Sequence, residues 1–318
     1  MSQTLLDQPS SPVAEVPGVR PVHPAKLRLQ RRLVLVVTIV PFIGFALAVA
    51  TLWGTGLSAV DAGIFAVIYV FTGMGVTVGF HRYFTHKSFR PTRSFEAVLA
   101  VAGSMSVQGS IIEWVADHRR HHAHSDQQGD PHSPHLDEGP GIRGVLKGLW
   151  HAHMGWFFDD EETDRNRWAP DLMRDPMIKK IDRAFPWLTL LTFTLPPVLG
   201  FAFTGTATGA LTAFLWGSLA RIFMLHHVTW SINSICHFFG KREYDTTDHS
   251  TNNWPLALIS FGESWHNNHH AFPSSAVHGL KKTQPDISAA FIRFTEKVGL
   301  VKDVKVVSDK QLAAKKRG

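Results

Sequence analysis

Residues 33–53 read LVLVVTIVPFIGFALAVATLW, 21 consecutive positions without a charge. As a helix rising about 1.5 Å per residue, this run is roughly 30 Å long, the thickness of a bilayer's hydrocarbon core. Arg31 and Arg32 stand directly before it. A secretory signal is the rival reading, but the leader is long and Pro-rich and no small-residue cleavage site closes the run, so it reads as an anchor. Outward from it, Ala62–Phe80 is a second uncharged run, and the connector 54–61 carries no Lys or Arg. Arg31 and Arg32 on one flank, with Arg82 and Lys87 on the other, place the N-terminus and the His81 region in the cytoplasm.

A weaker run, Ala97–Ile112, is interrupted by Gly103, Ser104, Ser106, Gln108 and Gly109. It predicts a surface helix or a dip that returns to the same face. No charge occurs from Ala184 to Ala220, which is too long for one crossing, and Gly205–Gly209 offers the break. Crossings are therefore expected at about 33–53, 62–80, 186–203 and 210–232. Arg221 falls in the last and reads as a cation snorkelling to the interface. Four crossings make this an all-α, multi-pass integral membrane protein, placed in the cell membrane with both termini cytoplasmic. Residues 81–183 and 237–280 then share the cytoplasmic side. Residues 1–30, rich in Pro, Ser and Val, read as a disordered tail. Residues 31–280 form the membrane domain, and 281–318 a basic C-terminal tail.

Composition agrees. Of 318 residues, 44% are hydrophobic and 18% charged, which excludes a disordered chain. The single cysteine, Cys236, excludes an intrachain disulfide, an iron–sulfur cluster and a Cys-based zinc site. The net charge of +6 is concentrated at the ends: residues 1–34 hold five basic and two acidic residues, and residues 281–318 ten and four. Basic ends suit nucleic acid or anionic lipid, and the apolar runs select lipid. No nucleic-acid partner is expected.

The 19 histidines are the informative excess. They group as His81-Arg-Tyr-Phe-Thr-His86, His118-Arg-Arg-His121-His122 and His266-Asn-Asn-His269-His270, with Asn233-Ser-Ile-Cys-His237 before the last. Spacings of three and four put His118, His121 and His122 on one helix face, and likewise His266, His269 and His270. Asn233 and His237 share a face at the end of the fourth crossing. His81 and His86 do not, and fit where a helix ends and turns. Neutral imidazole suits Fe, Zn, Cu or Ni. Nine ligands exceed the shell of about four to six that one ion holds, so two adjacent metals fit the count. Asp117 and Glu263 are candidate carboxylates around them.

These residues resemble the integral-membrane fatty acyl-CoA desaturases of the stearoyl-CoA (Δ9) type, in a bacterial-like form. The matching elements are His81–His86, Glu113-Trp-Val-Ala-Asp-His118 through His122, Asp130-Pro-His132, His153-Met-Gly-Trp156, Asn233–His237 and Gly262-Glu-Ser-Trp-His266 through His270 followed by Phe272-Pro273. They span about residues 65–280 in order. The resemblance implies four transmembrane helices and a cytosolic helical cap, 81–183 with 237–280, that holds a di-iron centre. It implies the iron ligands His81, His86, His118, His121, His122, His237, His266, His269 and His270, with Asn233 acting through a water. It further implies a bent acyl tunnel shaped by Gln108, Trp114 and Thr229. Tyr69 and Gly73 match its closed end, where a glycine suggests room.

The implied activity is O₂-dependent insertion of a cis double bond, at Δ9, into a saturated acyl chain on CoA or lipid. No residue beyond the metal ligands is expected to be catalytic. Electrons must come from a separate donor (a ferredoxin, flavoprotein or cytochrome b5-like protein) with its reductase, since no dinucleotide fingerprint or haem domain is seen. Lys281, Lys282, Lys297 and Lys302 are candidates to dock it. One departure stands out: animal relatives carry basic residues for the CoA phosphates after the Met-Gly-Trp element, where this chain has Asp159-Asp160-Glu161-Glu162. That counts against CoA and leaves open an acyl group on lipid or on a carrier protein, while Arg119 and Arg120 could still meet an anionic head group or CoA. His124, His132, His135, His151 and His153 read as supporting or surface positions. Two other activities share parts of this pattern: a di-iron membrane hydroxylase of acyl, alkane or sterol substrates, and a non-enzymatic metal-binding protein or transporter. The first shares the boxes but lacks the Glu113-Trp114 context, and the second would need ligands along a transmembrane path.

Overall fold

The structure is a computed structural model that describes residues 16–54, 56–136 and 139–317. Among the described residues, four helices are long and apolar enough to cross a membrane: Pro24–Thr51, Ala59–Thr85, Phe185–Thr204 and Ala207–His237. The first and third show most of their residues outward, with Leu33, Val36, Phe42, Leu47, Leu191 and Phe201 exposed. An apolar face of this extent without a protein neighbour is a membrane-contacting face.

The helices begin and end where local chemistry dictates. The first starts at Pro24, nine residues before the uncharged run, because proline suits the first turn and His23 Nδ1 accepts from Ala25 N. Hydropathy alone sees only its apolar part. Ser58 caps the second helix by accepting from Asp61 N, and Gly205, at φ +69, ends the third. The second helix passes at Gly75 into a π-helical stretch, Gly75–Thr85, and the fourth has one at Phe214–Ala220. The widened turn keeps the second helix going past Phe80, the expected end of its crossing, and carries His81 inward.

The Ala97–Ile112 run is not one continuous helix. It forms a helix, Arg93–Ser104, then a loop, then a helix at Ile111–His124. The loop's Met105 carbonyl accepts from Thr192 Oγ1 and its Ser106 carbonyl lies 2.9 Å from His226 Nε2, so its backbone is satisfied inside the bundle. Arg221 does not snorkel. It is fully buried, donating to Gly217 O, Thr72 Oγ1 and Thr192 Oγ1. Those oxygens lie within the bundle, and they hold the guanidinium there.

Two terminal expectations change. Of the tail 1–30, residues 1–15 lie outside the described residues; residues 16–30 are ordered. Val19–Pro21 pairs antiparallel with Glu161–Thr163, while Arg20 meets Asp164 and Lys26 meets Glu162. Acids far along the chain supply the partners that composition could not show. The basic segment 281–318 is also no loose tail. Ile287–Lys297 is a helix whose Ser288, Ala289, Ile292 and Thr295 are buried, and Ile292 joins one core with Phe80, Phe84, Phe89, Ile111 and Val115. Val301–Lys302 pairs with Arg90–Pro91. The charges occupy the outer faces of an amphipathic segment.

Candidate metal centre

Three helix ends and one short helix converge on a buried region. The π-helical turn delivers His81, and His86 follows at its cap. Ile111–His124 presents His118, His121 and His122. The last turn of the fourth long helix brings His237, and the short helix His266–Ala271 brings the remaining three. The asparagines inside that last box have structural work. Asn267 Oδ1 accepts from Glu243 N and Tyr244 N, and Asn268 Nδ2 donates to His278 O and Gln284 Oε1. They tie the box to the surrounding loops and leave the imidazoles free.

The imidazoles form two adjoining groups. His81, His86, His118, His122 and His269 offer nitrogens all within 4.8 Å of one another, and so do His121, His237, His266 and His270. In the first group His269 Nε2 lies 3.0 Å from both His81 Nε2 and His122 Nε2, and His122 Nε2 lies 3.1 Å from His118 Nε2. In the second, His237 Nε2 and His266 Nε2 are 3.0 Å apart. The groups touch where the His122 and His270 rings stack, 4.6 Å between centroids.

Carboxylates sit behind the rings. Glu263 meets His81 Nδ1, Asp130 Oδ1 lies 2.9 Å from His121 Nδ1, Asp126 Oδ2 2.9 Å from His237 Nδ1, and Asp248 Oδ2 2.7 Å from His270 Nδ1. A carboxylate at Nδ1 fixes the ring hydrogen there and turns the Nε2 lone pair inward. Burial, reinforced by neighbouring imidazoles, holds His86, His118, His122, His266 and His269 well below the ordinary histidine range. His270 is pulled down to about 4 by burial even beside Asp248. The partnered carboxylates Asp126, Asp130 and Asp248 are held low despite their burial, by the histidines they face.

These residues fit a pair of transition-metal ions. Neutral rings cannot satisfy the contacts among themselves, since His269 Nε2 carries either one hydrogen or one lone pair and faces the nitrogens of both His81 and His122. His86 Nε2, His121 Nε2 and His270 Nε2 are buried with no hydrogen-bond partner. Buried lone pairs left facing one another are costly, and a cation among them removes the cost.

Glu263 stands where a supporting carboxylate was expected, and its other oxygen accepts from Arg82 Nε and Nη2. Asp117 does not. It is half-buried and raised to about 6, chiefly by desolvation. Asp130, not Asp117, reaches the ring of His121, and Asp117 lines the neighbouring cavity instead. Asp126 and Asp248 were not singled out in the sequence. Isolated aspartates in loops carry no spacing signal, and only folding brings them to their histidines. His278 was also missed: it is 1% exposed, its ring lies 4.5 Å from that of His269, and neither nitrogen has a hydrogen-bond partner, although Nδ1 lies 3.7 Å from Glu263 Oε2. Of the histidines read as supporting or surface, His132 packs on His121, His135 Nε2 reaches His237 O, and His153 meets Ser234 and His227. His124 rests on Trp168, and His151 lies 4.0 Å from Asp159.

A cavity of about 1490 Å³ runs beside the histidines, with His81, His118, His266 and Asn233 in its wall. Gln108, Trp114 and Thr229 line it too. Gln108 Nε2 donates to Thr229 Oγ1 at 3.0 Å, and Trp114 stacks on His118. Tyr69 and Gly73 are not in this wall, and Gly73 leaves no room. A Cβ there would lie 2.3 Å from the ring of Phe261, which fills the space.

The protein-family model described as "Fatty acid desaturase" matches residues 61–295. The chain is 43% identical over 289 residues to "Hex-5-enoyl-[acyl-carrier protein] acetylenase" of Moorena producens, covering 91% of this chain and 90% of that protein. It is 40% identical to "Delta-9 acyl-lipid desaturase 1" of Arabidopsis thaliana, covering 77% and 75% of the two chains. It is 37% identical to "sn-1 stearoyl-lipid 9-desaturase" of Anabaena variabilis, covering 78% and 85%.

Proposed function

The chain belongs to the fatty acid desaturase family, and from that premise we propose that it is a di-iron, O₂-dependent desaturase of long saturated acyl chains, forming a cis double bond at Δ9. The observation that carries this reading is the pair of adjoining imidazole groups beside a cavity of about 1490 Å³. His81, His86, His118, His122 and His269 would hold one iron, and His121, His237, His266 and His270 the other, with Asn233 acting through a water. When bound, the irons supply the oxidising power, drawn from O₂, that unactivated C–H bonds require.

The chain's own residues do the rest. Glu263, Asp130, Asp126 and Asp248 orient the ligand rings. The Gln108–Thr229 hydrogen bond and the Trp114 ring shape the wall beside His118, so that only a limited stretch of a threaded acyl chain reaches the metals. Burial keeps bulk water from that stretch.

The carrier follows from the charged part of the cavity. Arg20 is matched by Asp164, Lys26 by Glu162, Arg120 by Glu161 at 3.3 Å and Arg165 by Glu113 at 3.3 Å. Cations already paired are poorly placed to take the phosphates of CoA, which supports a lipid-linked acyl group. The acyl-lipid substrates named for two relatives support the same reading. A separate protein donor with its reductase would deliver the electrons, and the histidine region would face the cytoplasm. Expression in a desaturase-deficient host, with mass-spectrometric location of double bonds, tests the proposal. A new Δ9 alkene is expected; an alcohol, or no new product from iron-loaded protein, would refute it.

A further inference from the structure

We propose that Phe261 sets the length of acyl chain the cavity accepts. The inference rests on the reading that this cavity holds an acyl chain. Its wall includes charged residues of the paired segments 16–30 and 159–162, and apolar residues from the second and fourth long helices and the loop before His266, among them Val76, Leu225, Ile259 and Phe261. A head group at the charged part leaves the methyl end of the chain to the apolar part.

Phe261 is built into that wall with care. Its ring lies against the backbone of Gly73, occupying the space a side chain there would need. It packs on Tyr69, ring centroids 5.6 Å apart, while the Tyr69 hydroxyl donates to Ile259 O at 2.9 Å. The phenylalanine adopts φ +56, a left-handed conformation costly for a bulky residue. Three backbone hydrogen bonds hold it there: Phe261 N to Leu258 O, Gly262 N to Ala257 O and Ser288 N to Phe261 O. The turn thus imposes strain and delivers a rigid aromatic ring, 5% exposed, into the wall of a cavity. Gly73 behind it has no side chain, so removing the ring opens the cavity toward the second helix.

The test uses Phe261→Gly, which removes the ring and suits the positive φ. Full-length wild type and variant are placed in nanodiscs with an equimolar series of phosphatidylcholines bearing saturated chains of increasing length. Retained lipid is identified by native mass spectrometry, and double-bonded products are profiled in parallel. The ratio of longer to shorter bound chains is expected to rise by about two-fold or more, since the tails are already out of water and only the newly opened packing space distinguishes them, with Phe261→Leu shifting in the same direction by less. An unchanged bound-chain profile in Phe261→Gly overturns the inference; if that variant does not fold, an unchanged profile in Phe261→Leu does so. The binding readout separates this from the functional reading: a shifted profile in a protein that forms no double bond sustains the role of Phe261 and removes the desaturase assignment.

Discussion

Asp126 Oδ2 lies 2.9 Å from His237 Nδ1, across 111 residues of chain, and it also accepts the backbone N–H of His249. This one carboxylate fixes the ring of a histidine at the end of a membrane-length helix and pins a loop over it. Asp126 itself has φ +57, a conformation asparagine tolerates. Asp126→Asn is therefore expected to fold but to weaken iron retention roughly 10–100-fold. Competition with a chelator, followed by elemental analysis, measures it, and undiminished retention would remove the orienting role.

His269 is the hub of the first group, with its Nε2 3.0 Å from two other ring nitrogens. His269→Ala is expected to abolish product while the protein still accumulates in the membrane, because the surrounding asparagine bonds are untouched. Product retained in the variant would refute its role as a ligand.

Arg221 tests the bundle rather than the site. Thr72 Oγ1 accepts from its Nη1 at 3.2 Å while donating to Ile68 O. Thr72→Val removes that acceptor from a buried guanidinium and is expected to destabilise by about 1–3 kcal/mol, with Thr72→Ser close to wild type. Thermal unfolding in detergent compares the three, and equal midpoints for Val and wild type would contradict the prediction.

Asp175 caps the helix Pro176–Arg183 and meets both Arg93 nitrogens, at 2.6 and 2.7 Å. The Arg93 guanidinium holds its carboxyl below the usual range. A carboxylate depressed in the folded state stabilises above its unfolded pKa of about 3.9, and that contribution is lost as pH falls through the folded value. Wild type is thus expected to lose more stability than Asp175→Ala on acidification from about pH 5 to pH 3. Parallel acid-unfolding curves for the two proteins would exclude this contribution.

Much of this was legible in the sequence because it is periodic. Uncharged runs announce membrane-length helices, and the three-and-four spacing of His118, His121 and His122 fixes a common face. What was not legible depends on folding in three dimensions. Asp126 and Asp248 have no local signature. The acids 159–162 read as a barrier to phosphate, but they also bind an N-terminal strand. Charge counting marked 281–318 as a tail, although Ile292 and Val301 belong to the core. At Gly73 the absent side chain suggested room, and a phenylalanine held at positive φ from 188 positions away takes it.

The proposed oxygen chemistry depends on two metal ions held by histidine. The most direct measurement is the iron content per chain of protein matured with iron, together with the metal's nitrogen coordination from X-ray absorption, for wild type and for His237→Ala. Two irons per wild-type chain in nitrogen-rich shells, falling toward one in the variant, is the predicted result. A wild-type chain that holds fewer than two irons, or a variant that keeps both with an unchanged shell, would contradict it.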